Sequence, residues 1–193
     1  MVKKKYDEVS EIRGEFFPHT HLWTGAWGMI EQAKKEVEGS HYMYLASMLF
    51  SAFCLEAYLN YLGGQKVEFW QDIEKKLSVK EKRDLLCKLV DFKVDTGKRP
   101  FQTFKMIFDF RNDVAHAKPE ILHGEGQLVR RGDEPQMPET KFDMVTLKNA
   151  QRFYDDTLAM IEELHKHLGL ERSAFPFENY RMSGWDPSLK NED

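Results

Sequence analysis

The chain is poor in the features that announce a chemistry. Only two cysteines, Cys54 and Cys87, stand among its 193 residues. That is too few for a disulfide scaffold, and they lack the paired spacing of a zinc site. Both fall in helical patterns beside Leu and Phe. They read as buried free thiols in a reducing compartment, which points to the cytoplasm, and neither has the polar, electropositive setting of a nucleophile. Positive charge is not in excess either. Lys and Arg number 28 against 32 Asp and Glu, a net charge of −4, and the pI is near 6.0. A broad basic face for nucleic acid is thereby excluded, and a small local basic site is not. No apolar stretch follows Lys3-Lys4-Lys5, so no signal peptide is expected. There are no sequence repeats and no low-complexity tracts.

Cofactor and metal signals are equally thin. Gly124-Glu125-Gly126 lacks the strand-then-helix setting of a dinucleotide site and reads as a turn. His19-x-His21 and His165-x-His167 each offer half a metal site, but residues two apart on a helix do not face each other. The second pair suits a helix C-terminal turn, where cations are favoured. No cofactor and no metal are expected. One segment, Tyr42 to Leu62, approaches the length of a membrane span. Glu56 and Asn60 interrupt it, and no second such segment exists. We therefore expect the central helix of a bundle and no membrane.

What is present is helical periodicity. The chain is 41% hydrophobic, 31% charged and 13% aromatic, the composition of a globular, soluble protein. Its length suits a single domain over residues 1–193, with a core at about 20–170. Thr24 is placed to cap a helix through Trp27, Ile30, Ala33 and Val37 that Gly39 ends, with Trp23 and Trp27 as core residues. The central helix covers about Ser40 to Leu62 and stops at Gly63-Gly64. A short amphipathic stretch, Val67 to Leu77, follows. Ser78-Val79-Lys80-Glu81 is a capping box opening a helix to about Val90. Pro100 suits the first turn of the next helix, which runs to Ala117 and must end before Pro119. The last long helix covers about Thr146 to Leu168, with Gly169 as its stop. The fold class expected is all-α, an up-and-down bundle with a long loop insertion, 118–141, before the last helix. Within that loop Leu128-Val129 suggests a short hairpin strand. The 171–193 tail carries Phe175, Phe177, Tyr180 and Trp185, and so many large apolar groups are expected to pack on something.

The most informative run is Arg111-Asn112-Asp113-Val114-Ala115-His116. Phe104, Ile107, Phe108 and Arg111 follow helical spacing, which sets Arg111 on an apolar stripe where a charge needs a partner. Glu56, which shares a face with Asn60 on the central helix, is the candidate. Asn112 and His116 lie one turn apart on a more polar face. On an ideal helix Arg111 and His116 point roughly 140° apart. To act on one ligand they need a distorted helix end or an interface. Lys118, Arg130 and Arg131, with His123, form the basic cluster nearest the motif. It is either a solvated loop or a guide for an RNA backbone.

These residues resemble the HEPN superfamily (higher eukaryotes and prokaryotes nucleotide-binding domain). Its hallmark is R-x4-6-H with a polar residue often following the Arg, and Arg111-Asn112 through His116 fits the four-residue spacing. The run Leu49 to Asn60, with Leu55-Glu56-Ala57 and Asn60, looks like the central helix common in that group. The resemblance spans roughly residues 40 to 168. It implies an HEPN-type all-α bundle that dimerises and brings two copies of the motif to one interface. Active relatives are metal-independent endoribonucleases of toxin or defence type. By the resemblance His116 handles the proton of the ribose 2′-OH or of the leaving 5′-oxygen, Arg111 steadies charge on the phosphorane, and Asn112 orients the phosphate. The product end implied is a 2′,3′-cyclic phosphate. Expected partners are RNA, a second copy of the chain, and an antitoxin or other protein. The alternative is a non-catalytic nucleotide-binding or protein-interaction module. In that case Arg111 and Glu56 form a structural ion pair, and the 118–141 loop or the aromatic tail meets the partner.

Overall fold

The structure, a computed structural model, describes residues 16–121 and 139–169. Among these are six α-helices, one 3-10 turn and no strand, so the fold is all-α, a helical bundle. Leu128-Val129, His123, Arg130, Arg131 and the aromatic tail lie outside the described residues.

Helix α1 (Pro18–Lys35) begins earlier than Thr24 suggested. Pro18 occupies the first helical position, where its missing N–H costs nothing and its fixed φ suits the helix. The Thr20 hydroxyl donates to the Phe17 carbonyl at 2.6 Å. Trp23, Ala26, Ile30 and Ala33 form the buried stripe. Trp27 lies on the edge of that stripe and is 51% exposed, so it is not the core residue its spacing suggested. Gly39 does not end α1. With φ 77° it takes the left-handed conformation just before α2 (Ser40–Lys66), a place glycine fills without strain.

Helix α2 is packed by α1, α4, α5 and α6. Its length and hydropathy would allow a membrane span, yet Met48, Ala52, Leu55, Tyr58, Leu59 and Leu62 are wholly buried in the bundle core. It also runs straight through Gly63-Gly64, where a stop was expected. Gly63 has a packing role instead. A Cβ there would lie 2.1–2.4 Å from Trp70 ring atoms, so the indole sits in a notch that only glycine leaves open. Trp70 begins the single-turn helix α3 (Trp70–Ile73).

Helix α4 (Val79–Leu89) opens with both arms of the capping box. The Glu81 N–H donates to Ser78 Oγ at 3.3 Å, and the Ser78 N–H donates to Glu81 Oε2 at 2.7 Å. Hydrogen bonds from the Ser78 side chain and backbone N–H to the carboxylate favour its ionised form and lower the Glu81 pKa. Helix α5 (Gln102–Ala115) ends with His116 as C-cap, just before Pro119 as expected. Between the expected loop, 118–141, and the last helix lies a 3-10 turn, Lys141–Met144, closed by a Thr140/Asp143 capping box. Helix α6 (Leu147–His167) is capped by Thr146, and Gly169 follows at φ 60°.

Two buried polar nodes tie the bundle together. The Asp156 carboxylate on α6 accepts from Arg99 Nε at 2.9 Å and from the Thr103 hydroxyl. Near α1, Tyr58 Oη and His165 Nδ1 lie 2.5 Å apart. His19 packs its ring on Tyr58 and Tyr61 at centroid distances of 5.1 and 5.3 Å. The Cys54 thiol donates to the His19 carbonyl at 3.3 Å, and burial pushes the thiols of Cys54 and Cys87 up, Cys87 to about 11.

Burial lowers the His19 pKa from 6.5 to about 4. As pH falls through 6.5 the unfolded chain binds a proton that the folded chain refuses until about pH 4. The stabilising contribution is therefore whole above pH 6.5 and is lost between 6.5 and 4. The unfolding free energy of the native chain, less that of His19→Phe, is expected to fall by about 2–3 kcal/mol across this window. Urea titrations of both proteins at several pH values measure it. A constant difference would show that His19 is not held neutral.

Candidate functional site

The site is built on α5 and its exit. Phe104, Ile107 and Phe108 are buried, and Phe110 adds a second core contact, edge-on to Phe153 at 5.9 Å. Arg111 continues this stripe toward α2, with its side chain 20% exposed. Arg111 Nη2 donates to Glu56 Oε2 at 2.5 Å, so the ion pair expected from the two helix faces is present. From the other side Lys82 Nζ of α4 lies 3.7 Å from Glu56 Oε1. The lysine side chain is 6% exposed and that of Glu56 27%. One carboxylate thus receives cations from two helices.

Arg111 Nη1 donates to Asn112 Oδ1 at 3.0 Å. Its guanidinium carbon lies 5.7 Å from the Phe108 ring centroid, at the long end of a cation–π contact. Arg83 of α4 stands closer to its own ring, 4.3 Å above Phe104, and its Nε donates to Asp84 at 2.9 Å. Asn60 does not join this group. It shares a helix face with Glu56, but its Oδ1 is buried without a hydrogen-bond partner and it lines neither cleft described next.

Arg111 and Asn112 open into a cleft of about 820 Å³ between α4 and α5, walled also by Ser78, Arg83, Phe104 and Phe108. His116 lies in a second, smaller cleft of about 370 Å³ between the end of α5 and the 3-10 turn. Lys118, Thr140, Lys141 and Phe142 line it too. Asn112 is the residue common to both. The divergence expected of an Arg and a His five positions apart is therefore seen as two clefts with Asn112 between them. The His116 N–H donates to the Asn112 carbonyl at 2.9 Å, which holds the exit turn. The imidazole is exposed and has no hydrogen bond or ion pair among the described residues. Lys141 Nζ reaches Asp113 Oδ1 at 3.2 Å and Glu120 Oε1 at 3.5 Å. The Asp113 hydrogen bond leads the upward shift of its pKa.

Sequence spacing brought Glu56, Arg111, Asn112, His116 and Lys118 to this end of the bundle. It missed Lys82, Arg83 and Phe142. Lys82 and Arg83 carry the same signal that marked Arg111, since they fall between Val79 and Leu86 on the inward face of an amphipathic helix. Phe142 had no such signal, because a 3-10 turn shows no period long enough to recognise. Among the described residues no three His, Cys, Asp or Glu side chains gather as a metal site would require. No family model, no curated protein and no solved structure matches the chain at a significant level.

Removing Glu56 strands two cations. Breaking a fully buried pair costs roughly 3–5 kcal/mol, and partial exposure lowers the figure. Glu56→Ala is expected to cost about 1–3 kcal/mol. In a double-mutant cycle with Arg111→Ala, the double variant should be more stable than the two single losses summed. Strict additivity in urea unfolding would mean that the pair is not coupled.

Proposed function

We propose that this chain is a metal-independent endoribonuclease of toxin or defence type, built on an HEPN-like bundle and acting as a cytoplasmic homodimer. The observation carrying this reading is the position of Asn112. A phosphodiester lying across it meets the Arg111 guanidinium on one side and the free His116 imidazole on the other. A guanidinium has five N–H groups. Glu56 and Asn112 each take one, from different terminal nitrogens. One N–H on each terminal nitrogen is left for the two free oxygens of a phosphate.

The chemistry is transesterification. The ribose 2′-oxygen attacks phosphorus, its proton leaves to a base, and the P–O5′ bond breaks as the 5′-oxygen takes up a proton. The products are a 2′,3′-cyclic phosphate and a 5′-hydroxyl. His116 serves one of the two proton transfers, and Arg111 stabilises the phosphorane charge. The second transfer falls to water or to the second copy of the chain.

A second reading has its own support. Arg111 already holds a carboxylate at 2.5 Å, and the lysine at the smaller cleft's far wall, Lys141, is committed to two acids. Both features suit a non-catalytic helical module in which the Arg-His motif is structural.

Cleavage separates the two. Purified protein is expected to cut single-stranded RNA in the presence of EDTA and to leave 2′,3′-cyclic phosphate ends. His116→Ala should abolish cleavage with almost no change in Tm, since the ring is exposed. Equal degradation by both proteins would mark contamination. Absence of cleavage across structured and unstructured RNAs would favour the module.

A further inference from the structure

The smaller cleft contains a group that the reaction above does not use. Phe142 presents its ring, 38% exposed, in the same 370 Å³ space as His116 and Asn112. Large apolar side chains on a polar surface are common singly, so exposure alone says little. The way this one is held says more. It sits on a 3-10 turn whose start is closed by the Thr140/Asp143 capping box, and its own N–H donates to Thr140 Oγ1 at 3.2 Å. The neighbouring Lys141 ties the turn to Asp113 on α5 and to Glu120 beyond it, at 3.2 and 3.5 Å. The turn that carries the ring is thus tied to the exit of α5 by bonds at its own start and by a bridge to the helix that carries the motif. Thr140 and Lys118 line the same space and supply a hydroxyl and an ammonium.

A volume of about 370 Å³ falls at the small end of ligand pockets. It offers one aromatic face, one imidazole and one amide; of its two lysines, Lys141 is paired with Asp113 and Glu120, which also line the space, and Lys118 is left for a charged backbone, a set that fits a planar heterocycle on a phosphate chain. Resting on the endoribonuclease reading, we propose that Phe142 is the stacking platform for the nucleobase next to the scissile phosphate, and so a specificity-determining residue. The sugar-phosphate chain crosses Asn112. On one side it enters the larger cleft beside Arg111, and on the other its base lies on Phe142. A base stacked there has left its neighbours in the strand. The site therefore takes unpaired nucleotides, and paired RNA is a poor ligand whatever its sequence.

The test uses the full chain and a short single-stranded 2′-O-methyl oligonucleotide carrying one 2-aminopurine. Lacking the 2′-hydroxyl, the probe binds without being cut. Anisotropy reads affinity, and 2-aminopurine quenching reads stacking. Wild type should bind and quench. Phe142→Ala should bind about 5- to 150-fold more weakly, the range for loss of one base stack, and should lose the quenching. Phe142→Trp should restore both. Pairing the probe with its complement should weaken wild-type binding and abolish the difference between wild type and Phe142→Ala. Equal affinity and equal quenching for wild type and Phe142→Ala would overturn the stacking role while leaving RNA binding intact. No binding of the probe by wild type, with no cleavage of RNA, would overturn both. Thermal melts of the variants keep the comparison sound, since Phe142 belongs to no core cluster and its loss should leave Tm unchanged.

Discussion

The arrangement of this bundle depends on one carboxylate. Glu56 is the acidic residue of a helix otherwise given over to the core, and two cations from two other helices converge on it. At about 4 Å and an effective dielectric of about 20, each attraction is worth about 4 kcal/mol before desolvation is counted. Desolvation of three charged groups offsets most of this. The net effect is on alignment rather than on total stability. If α4 or α5 slid by a turn along α2, a cation would be left facing hydrocarbon. The triad therefore fixes where the walls of the larger cleft stand, and it sets the orientation of the Arg111 guanidinium before any ligand arrives.

The other buried polar groups act in the same manner. Asp156 accepts from Arg99 and Thr103 and so joins α6 to the entry of α5. The pair of Tyr58 and His165 joins α2 to the last turn of α6, with the His19 ring edge-on to Tyr58 from α1. Each node connects elements far apart in the chain, and a shift of register would break its hydrogen bonds. Apolar packing alone would permit neighbouring registers at modest cost.

Much of this was legible in the sequence. The capping box at Ser78 and the glycine after α6 marked helix ends by local chemistry, and the structure has them there. A charge on an apolar stripe marked Arg111, and the only acid on the central helix marked its partner. The misses have a common cause. Gly63 reads as a stop because glycine's conformational freedom is a local property, whereas its role here is set by Trp70, which tertiary packing brings to it. Thr24 reads as a cap because its side chain suits one, while Pro18 already opens the helix. Phe142 was invisible because a single turn has no period. Asn60 shares the face of Glu56, but its buried Oδ1 meets no hydrogen-bond partner and only Glu56 receives the two cations.

The indole in the Gly63 notch has a mechanical consequence. Between the end of α2 and the cap of α4 the chain is mostly exposed, and Val67 and Trp70 are its buried anchors. Whatever loosens that indole slackens the strap that delivers Ser78 to the start of α4. Helix α4 carries both Lys82, which steadies Glu56, and Arg83, which walls the larger cleft. The buried corner at Gly63 and Trp70 is thereby joined, through Ser78 and α4, to the pairing of Lys82 and Arg111 on Glu56.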